Sequence, residues 1–184
     1  MNRDRTVRYI TEAALMIALL SVSSYIVIPF LIPFTLQTFA IFAAVGILGG
    51  KRGTLTVLVW LIAGFIGLPL FSGFRGGFAV LFEATGGYLL GFLFAALSVW
   101  MLTARKRTAK RLVIGMAVGL FLCYLIGSLW YYFVYASKAE GLGFMSVIIT
   151  TVIPFILPDV AKLALAFLLS WRVSRVRGFL PINK

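Results

Sequence analysis

Hydrophobic positions along this chain fall in long unbroken blocks, separated by short polar, basic or glycine-rich breaks. Several blocks reach the roughly 20 apolar residues needed to cross a hydrocarbon core. The short alternating segments of about ten residues that mark a membrane barrel are absent. The pattern predicts an all-α integral membrane protein, a bundle of six transmembrane helices forming a single domain over residues 1–184. The first span is expected from about Val7 to Ile28 and the second from Phe34 to the "GGKRG" turn at 49–53. The third is expected from Thr54 to Leu68, the fourth from Phe78 to Thr103, and the fifth from Leu112 to Tyr135. The sixth ends near Trp171. Residues 143–155 read either as an external helix or as part of that last span.

The second and third spans are short, and a re-entrant second segment would leave five spans with the termini on opposite sides. "GLPLFSGFRGG" at 67–77 is too rich in glycine and proline for a continuous helix. The two halves of the chain differ in loop length and glycine content, so they give no sign of an inverted repeat.

Charge supports six. With that count, one face holds 14 of the 17 basic residues: Arg3, Arg5, Arg8, Lys51, Arg52, Arg105, Lys106, Arg107, Lys110, Arg111, Arg172, Arg175, Arg177 and Lys184. The positive-inside rule then puts both termini in the cytoplasm. Attraction to anionic lipids is a secondary effect of the same residues. The net charge of +12 is punctuated by spans and forms no extended basic face for nucleic acid. Hydrophobic residues make up 62% of the chain and charged ones 12%, against about 45–50% and 25% in soluble domains. The first apolar run is longer than a signal-peptide core and no Ala-x-Ala site follows it.

Four of the remaining charges form an unusual set. Arg75, Glu83, Asp159 and Lys162 fall on the external half, beside backbone broken by glycine or proline. Irregular backbone at membrane depth persists where it is buried in protein or lines a cavity. "PFLIPFTLQT" at 29–38 is a further such segment, and its Gln37 joins the candidate binding residues. Together these segments predict a pocket open to the outside, with external loops as its lid. Asp159 and Lys162, three residues apart, share a helix face. Each costs about 2.5–3.5 kcal/mol at a helix centre. One reading makes Pro158 the start of the helix and Asp159 its cap, with Lys162 paired or snorkelling. The other makes them a polar ligand site, the carboxylate accepting N–H groups and the ammonium meeting an anion. Arg75 is a permanent cation suited to a carboxylate. Gly76, Gly77, Gly86 and Gly87 permit close approach of backbone to a ligand or a helix, and Thr85 and Tyr88 add hydroxyls. Ala14 and Ala18, four apart on the first helix, offer a small-residue face.

Several chemistries lack their residues. The chain has no histidine and a single cysteine, Cys123, which removes His-based metal sites, thiolate cages and internal disulfides. "VGILGGKRG" carries a lysine but lacks the first glycine and the Ser/Thr of a Walker A loop. No metal or cofactor is expected, and energy for uphill movement must come from another protein or an ion gradient.

Four segments in order, "PFTLQTFAIFAAVGILGGKRG", "GLPLFSGFRGG", "ATGGYLLGF" and "LPDVAKLALA", resemble the BioY family. These are the biotin-binding membrane subunits, or S components, of bacterial energy-coupling factor (ECF) transporters. The resemblance implies a six-helix fold in the bacterial plasma membrane with both termini inside. It implies a biotin pocket near the outer surface and no enzymatic activity. It also implies partnership with a transmembrane T component and two cytoplasmic ATPases. The family's last-helix Asp and Lys fall on Asp159 and Lys162, its Thr-Gly-Gly-Tyr run on Thr85, Gly86, Gly87 and Tyr88, and its small-residue T-component contact on Ala14 and Ala18. One departure is Glu83-Ala84, where the family typically has Gly-Pro. An S component for another vitamin, such as thiamine or riboflavin, is the nearest alternative. An intramembrane enzyme using Asp159 and Lys162 would need a nucleophile or metal that is not evident. A structural subunit without ligand would tolerate alanine at the pocket residues.

Overall fold

A computed structural model describes residues 3–29, 32–136 and 143–176. Lys138, Glu140, Arg177 and Lys184 lie outside these residues, as do the side chains of Arg3, Arg5 and Arg175.

Helix α1 spans Arg3–Tyr25. The β-branched residues and prolines that follow favour extended backbone. Val27–Ile28 (β1) therefore pairs antiparallel with Phe34–Thr35 (β2). The first span thus stops at Tyr25, short of the expected Ile28. Helix α2 spans Gln37–Leu48 and α3 Gly50–Ile66. They are divided by Gly49, whose φ of 87° suits glycine. After a loop and a 3₁₀ turn at Phe78–Phe82, α4 covers Gly86–Thr103. The fourth span therefore starts at Gly86 and not Phe78, because residues 78–85 form the turn that leads into it. Helix α5 spans Ala109–Tyr131 and passes into a π turn at Tyr132–Ala136. Thr108 caps α5, its side chain accepting from the Arg111 N–H.

Six helices were expected, and the described residues form seven. Residues 143–155 carry a helix of their own, α6 (Phe144–Thr151), and α7 starts at Ile153. Pro154 has no N–H with which to continue the α6 ladder, and it disfavours helical backbone at the residue before it. Four helices among the described residues are long and apolar enough to cross a membrane: α1, α4, α5 and α7. At 12 residues α2 is apolar but only about 18 Å long.

Helix α2 is the centre of the bundle. Every residue from Ala40 to Leu48 is buried, and the helix packs on α7, α3, α1 and α4. Helices α4 and α5 form the tightest pair because small residues meet across it. A Cβ on Gly91 would come within 2.9 Å of the Cys123 Cα, and one on Gly119 within 2.8 Å of the Ala95 carbonyl. Helix α1 lies on the outside, with Ala14 and Ala18 exposed.

The bundle has two chemically distinct ends. Arg8, Tyr9, Arg52 and Arg107 gather at one, and Asp159 and Lys162 lie toward the other. Helix α4 connects them, with Thr85 preceding it at the Asp159 end and Thr103 closing it at the basic end.

Candidate ligand-binding pocket

The site is built on α7. Asp159 is six residues beyond the first residue of that helix, so it is not a cap. Pro158 is inside the helix and does not open it. Asp159 and Lys162 are 4% and 6% exposed. Lys162 Nζ donates to Asp159 Oδ1 at 2.8 Å and to the Thr35 carbonyl at 2.6 Å. It also sits over the Phe34 ring, 3.8 Å from its centroid. The Tyr124 hydroxyl on α5 donates to Asp159 Oδ2 at 2.6 Å. A buried ion pair persists when its geometry is good and further hydrogen bonds satisfy both partners. Here β2 and α5 supply those bonds.

Capacity is left over. An ionised carboxylate offers about four lone-pair sites and an ammonium three N–H donors. Each Asp159 oxygen has one described partner, and Lys162 uses two donors. Gln37 adds a third group. It is 5% exposed, and its Oε1 accepts from the Thr35 hydroxyl at 3.0 Å. Its Nε2 is buried with no hydrogen-bond partner. Buried amide donors are usually paired, so this one is available to a ligand. All these groups border one cavity, in which about 60 Å³ is open to the centres of water-sized spheres. That is several times what a single water needs. Apolar walls come from Phe71, Val80, Leu89, Phe92 and Phe155.

The rim is a loop fixed by its own contacts. After α3, the Phe71 N–H bonds the Arg75 carbonyl at 2.9 Å and closes a tight turn. Phe74 there has φ 57°, a left-handed conformation uncommon for a large side chain. Its ring stacks on Tyr25, with centroids 4.1 Å apart. The Tyr25 hydroxyl donates to the Pro69 carbonyl at 2.6 Å, and Ser24 Oγ to the Leu70 carbonyl at 2.8 Å. These contacts tie the rim to the end of α1. Arg75 borders the cavity, donates to the Ser72 carbonyl at 2.9 Å, and forms an ion pair with Glu83. Both side chains of that pair are about 40% exposed (40% and 39%). The carboxylate that departs from the family pattern is thus the partner of the rim arginine.

The candidates from sequence divide into two groups. Asp159, Lys162, Arg75, Thr85, Tyr88 and Gln37 all border the cavity. The Tyr88 hydroxyl donates to the Thr151 carbonyl at 3.3 Å, linking α4 to α6. Gly76, Gly77, Gly86 and Gly87 are not among the lining residues. A Cβ on Gly76 would collide with the Leu68 carbonyl, on Gly86 with that of Leu81, and on Gly87 with the Trp130 side chain. Gly77 lies in open space at φ 94°. Ala14 and Ala18 are on the exposed face of α1, away from the pocket. Trp60 packs edge-on against Phe71 and donates to Ser21 Oγ at 3.2 Å, as part of the core.

Sequence reasoning missed Tyr124 and the Thr35 carbonyl. A hydroxyl inside the apolar run "GLFLCYLIG" was the only signal for Tyr124. A main-chain carbonyl leaves none.

The sequence matches the BioY family over residues 1–179. This chain belongs to the BioY family. It is 35% identical to the biotin transporter BioY of Thermotoga maritima over 92% of this chain and 97% of that protein. It is likewise 35% identical to a probable biotin transporter BioY of Pyrococcus horikoshii, over 90% and 95%. Among solved structures it is similar to the S component for biotin from an ECF-type ABC transporter. That similarity has a TM-score of 0.80 at 26% identity, covering 97% of this chain and 95% of the other. A second S component of a bacterial ECF transporter shares the fold, with a TM-score of 0.59 at 18% identity.

Proposed function

We propose that this BioY-family chain is the biotin-binding S component of an ECF-type uptake transporter. The observation that carries the reading is the buried Asp159–Lys162 pair, held by Tyr124 and Thr35 at the edge of a largely apolar cavity. Biotin combines an apolar bicycle with a ureido group of two N–H donors and one acceptor. Asp159 accepts a ureido N–H, and the Gln37 amide suits the ureido oxygen. The apolar walls take the bicycle. The valeryl carboxylate meets a cation, either Lys162 at the buried end or Arg75 at the exposed rim. The correct one is the residue whose replacement weakens biotin but leaves an uncharged biotin amide unaffected. Thr85 and Tyr88 border the same ligand, while Gly76, Gly77, Gly86 and Gly87 shape its surroundings.

In this reading six helices, α1 to α5 and α7, span the bacterial plasma membrane, with both termini in the cytoplasm and α6 as part of the external lid. The gathering of basic residues at one end supports that orientation. A transmembrane T component docks on the Ala14 and Ala18 face, and two ATPase subunits supply the energy. The chain itself binds and is not an enzyme.

Equilibrium binding of biotin to the purified, detergent-solubilised protein tests the reading, with thiamine and riboflavin as controls. Tight and selective biotin binding is expected. A folded sample that prefers thiamine or riboflavin would assign another vitamin, and one that binds none would point to a structural subunit.

A further inference from the structure

The basic end of the bundle holds an open cleft of about 670 Å³. Arg8 and Glu12 of α1, Lys51 and Arg52 in the first turn of α3, Trp100 of α4, and Arg107 after it line this cleft. Four cations thus face one carboxylate, and that carboxylate is engaged by Arg8 at 2.9 Å. Among the described residues no salt bridge reaches Lys51, Arg52 or Arg107. The Arg52 guanidinium lies over the Tyr9 ring, 5.1 Å from its centroid. Arg107 bonds the Gly46 carbonyl and donates to Ser174 Oγ at 3.3 Å. Burial pulls its guanidinium below the ordinary arginine pKa.

Helix polarity makes the arrangement less comfortable still. The start of a helix is its positive end and favours acidic side chains. The first turn of α3 has none and carries Lys51 and Arg52, with no side chain capping its amide groups. Topology selection accounts for basic residues on this face. It does not account for their collection around an empty-walled cleft at a helix N-terminus. An anion in the cleft would answer the cations, the free amides and the half-buried Arg107 together.

We propose that this cleft binds a phosphate group, and that the group is the headgroup phosphate of an acidic phospholipid. Its position favours lipid over a free ion. It lies at the ends of helices long enough to cross the membrane. Trp100 lines it, a residue type that settles at the membrane interface. The apolar side chains of Met101 and Leu102 are exposed beside it. Basic pockets between helices are the usual seat of such headgroups.

The test uses the delipidated full chain in detergent, titrated with phosphatidylglycerol, phosphatidylcholine or inorganic phosphate and read by native mass spectrometry. The wild-type chain is expected to retain phosphatidylglycerol about tenfold better than phosphatidylcholine. The double variant Lys51→Gln, Arg52→Gln should lose that preference, since each surface cation is worth about fivefold. The control Lys106→Gln, Lys110→Gln removes exposed cations outside the cleft and should keep it. Unchanged biotin binding shows that both variants are folded. Equal retention of the two lipids, or equal loss in both variants, overturns the proposal. Millimolar inorganic phosphate that binds without any lipid preference assigns the cleft to a free ion and overturns the lipid source. Absence of lipid preference, with the Lys51/Arg52 variant failing to co-purify with the T component, makes the cleft a protein interface instead.

Discussion

Asp159 has two oxygens, and each has one partner from a different element, Lys162 on its own helix and Tyr124 on α5. Removing one member of such a group exposes what the others were doing. Asp159→Asn keeps the shape but weakens every bond to a donor, and should reduce biotin affinity at least about tenfold by titration calorimetry. Tyr124→Phe deletes one bond to a charged group, worth about 1.5–3 kcal/mol. The carboxylate then loses its fixed orientation, and biotin affinity should fall by about tenfold or more. Lys162→Ala leaves Asp159 buried and unpaired, which costs about 3–5 kcal/mol of stability. The double variant Asp159→Leu, Lys162→Met should restore most of the lost thermal stability yet bind no biotin. Stability and binding moving together in that double variant would refute a ligand role for the pair.

Helices α4 and α5 approach closely because Gly91 and Gly119 present no side chain at the points of contact. The same pair carries Tyr88 and Tyr124 into the pocket. Packing at the glycines therefore sets the distance between pocket walls. Gly91→Leu must push the Cys123 backbone away, and overpacking of this kind costs about 1–3 kcal/mol. Thermal unfolding in detergent should show the loss, with biotin affinity falling as α5 moves. Retained biotin affinity in a destabilised Gly91→Leu protein would separate the helix contact from the site. The division between α6 and α7 was open in the sequence, since residues 143–155 read either as an external helix or as part of the last span, and Pro158 stood as a possible helix start. The backbone breaks at Val152 and absorbs Pro158 within α7, which puts Asp159 within the helix and not at its cap.

Across the whole molecule, the proposed roles divide between the Asp159–Lys162 pocket, the basic end and the exposed face of α1. Ala14 and Ala18 are exposed, so large side chains there disturb nothing within the chain. Ala14→Trp with Ala18→Trp should leave biotin binding unchanged and abolish uptake in cells that also express the T component and ATPases. Normal uptake by that variant would move the docking face elsewhere.

The sequence by itself determined the class, the order of apolar segments, and the residues that had to be special. Hydrocarbon tolerates few charges, so Asp159, Lys162 and Arg75 stood out against an apolar background, and four ordered motifs carried the family. Only the tertiary structure decided what those residues meet. The pairing of Glu83 with Arg75, of Tyr124 with Asp159, and of the Thr35 carbonyl with Lys162 spans distant segments. No local pattern encodes such contacts. The glycines show the same limit: their spacing announced close approach, but which backbone they approach depends on how the helices pack.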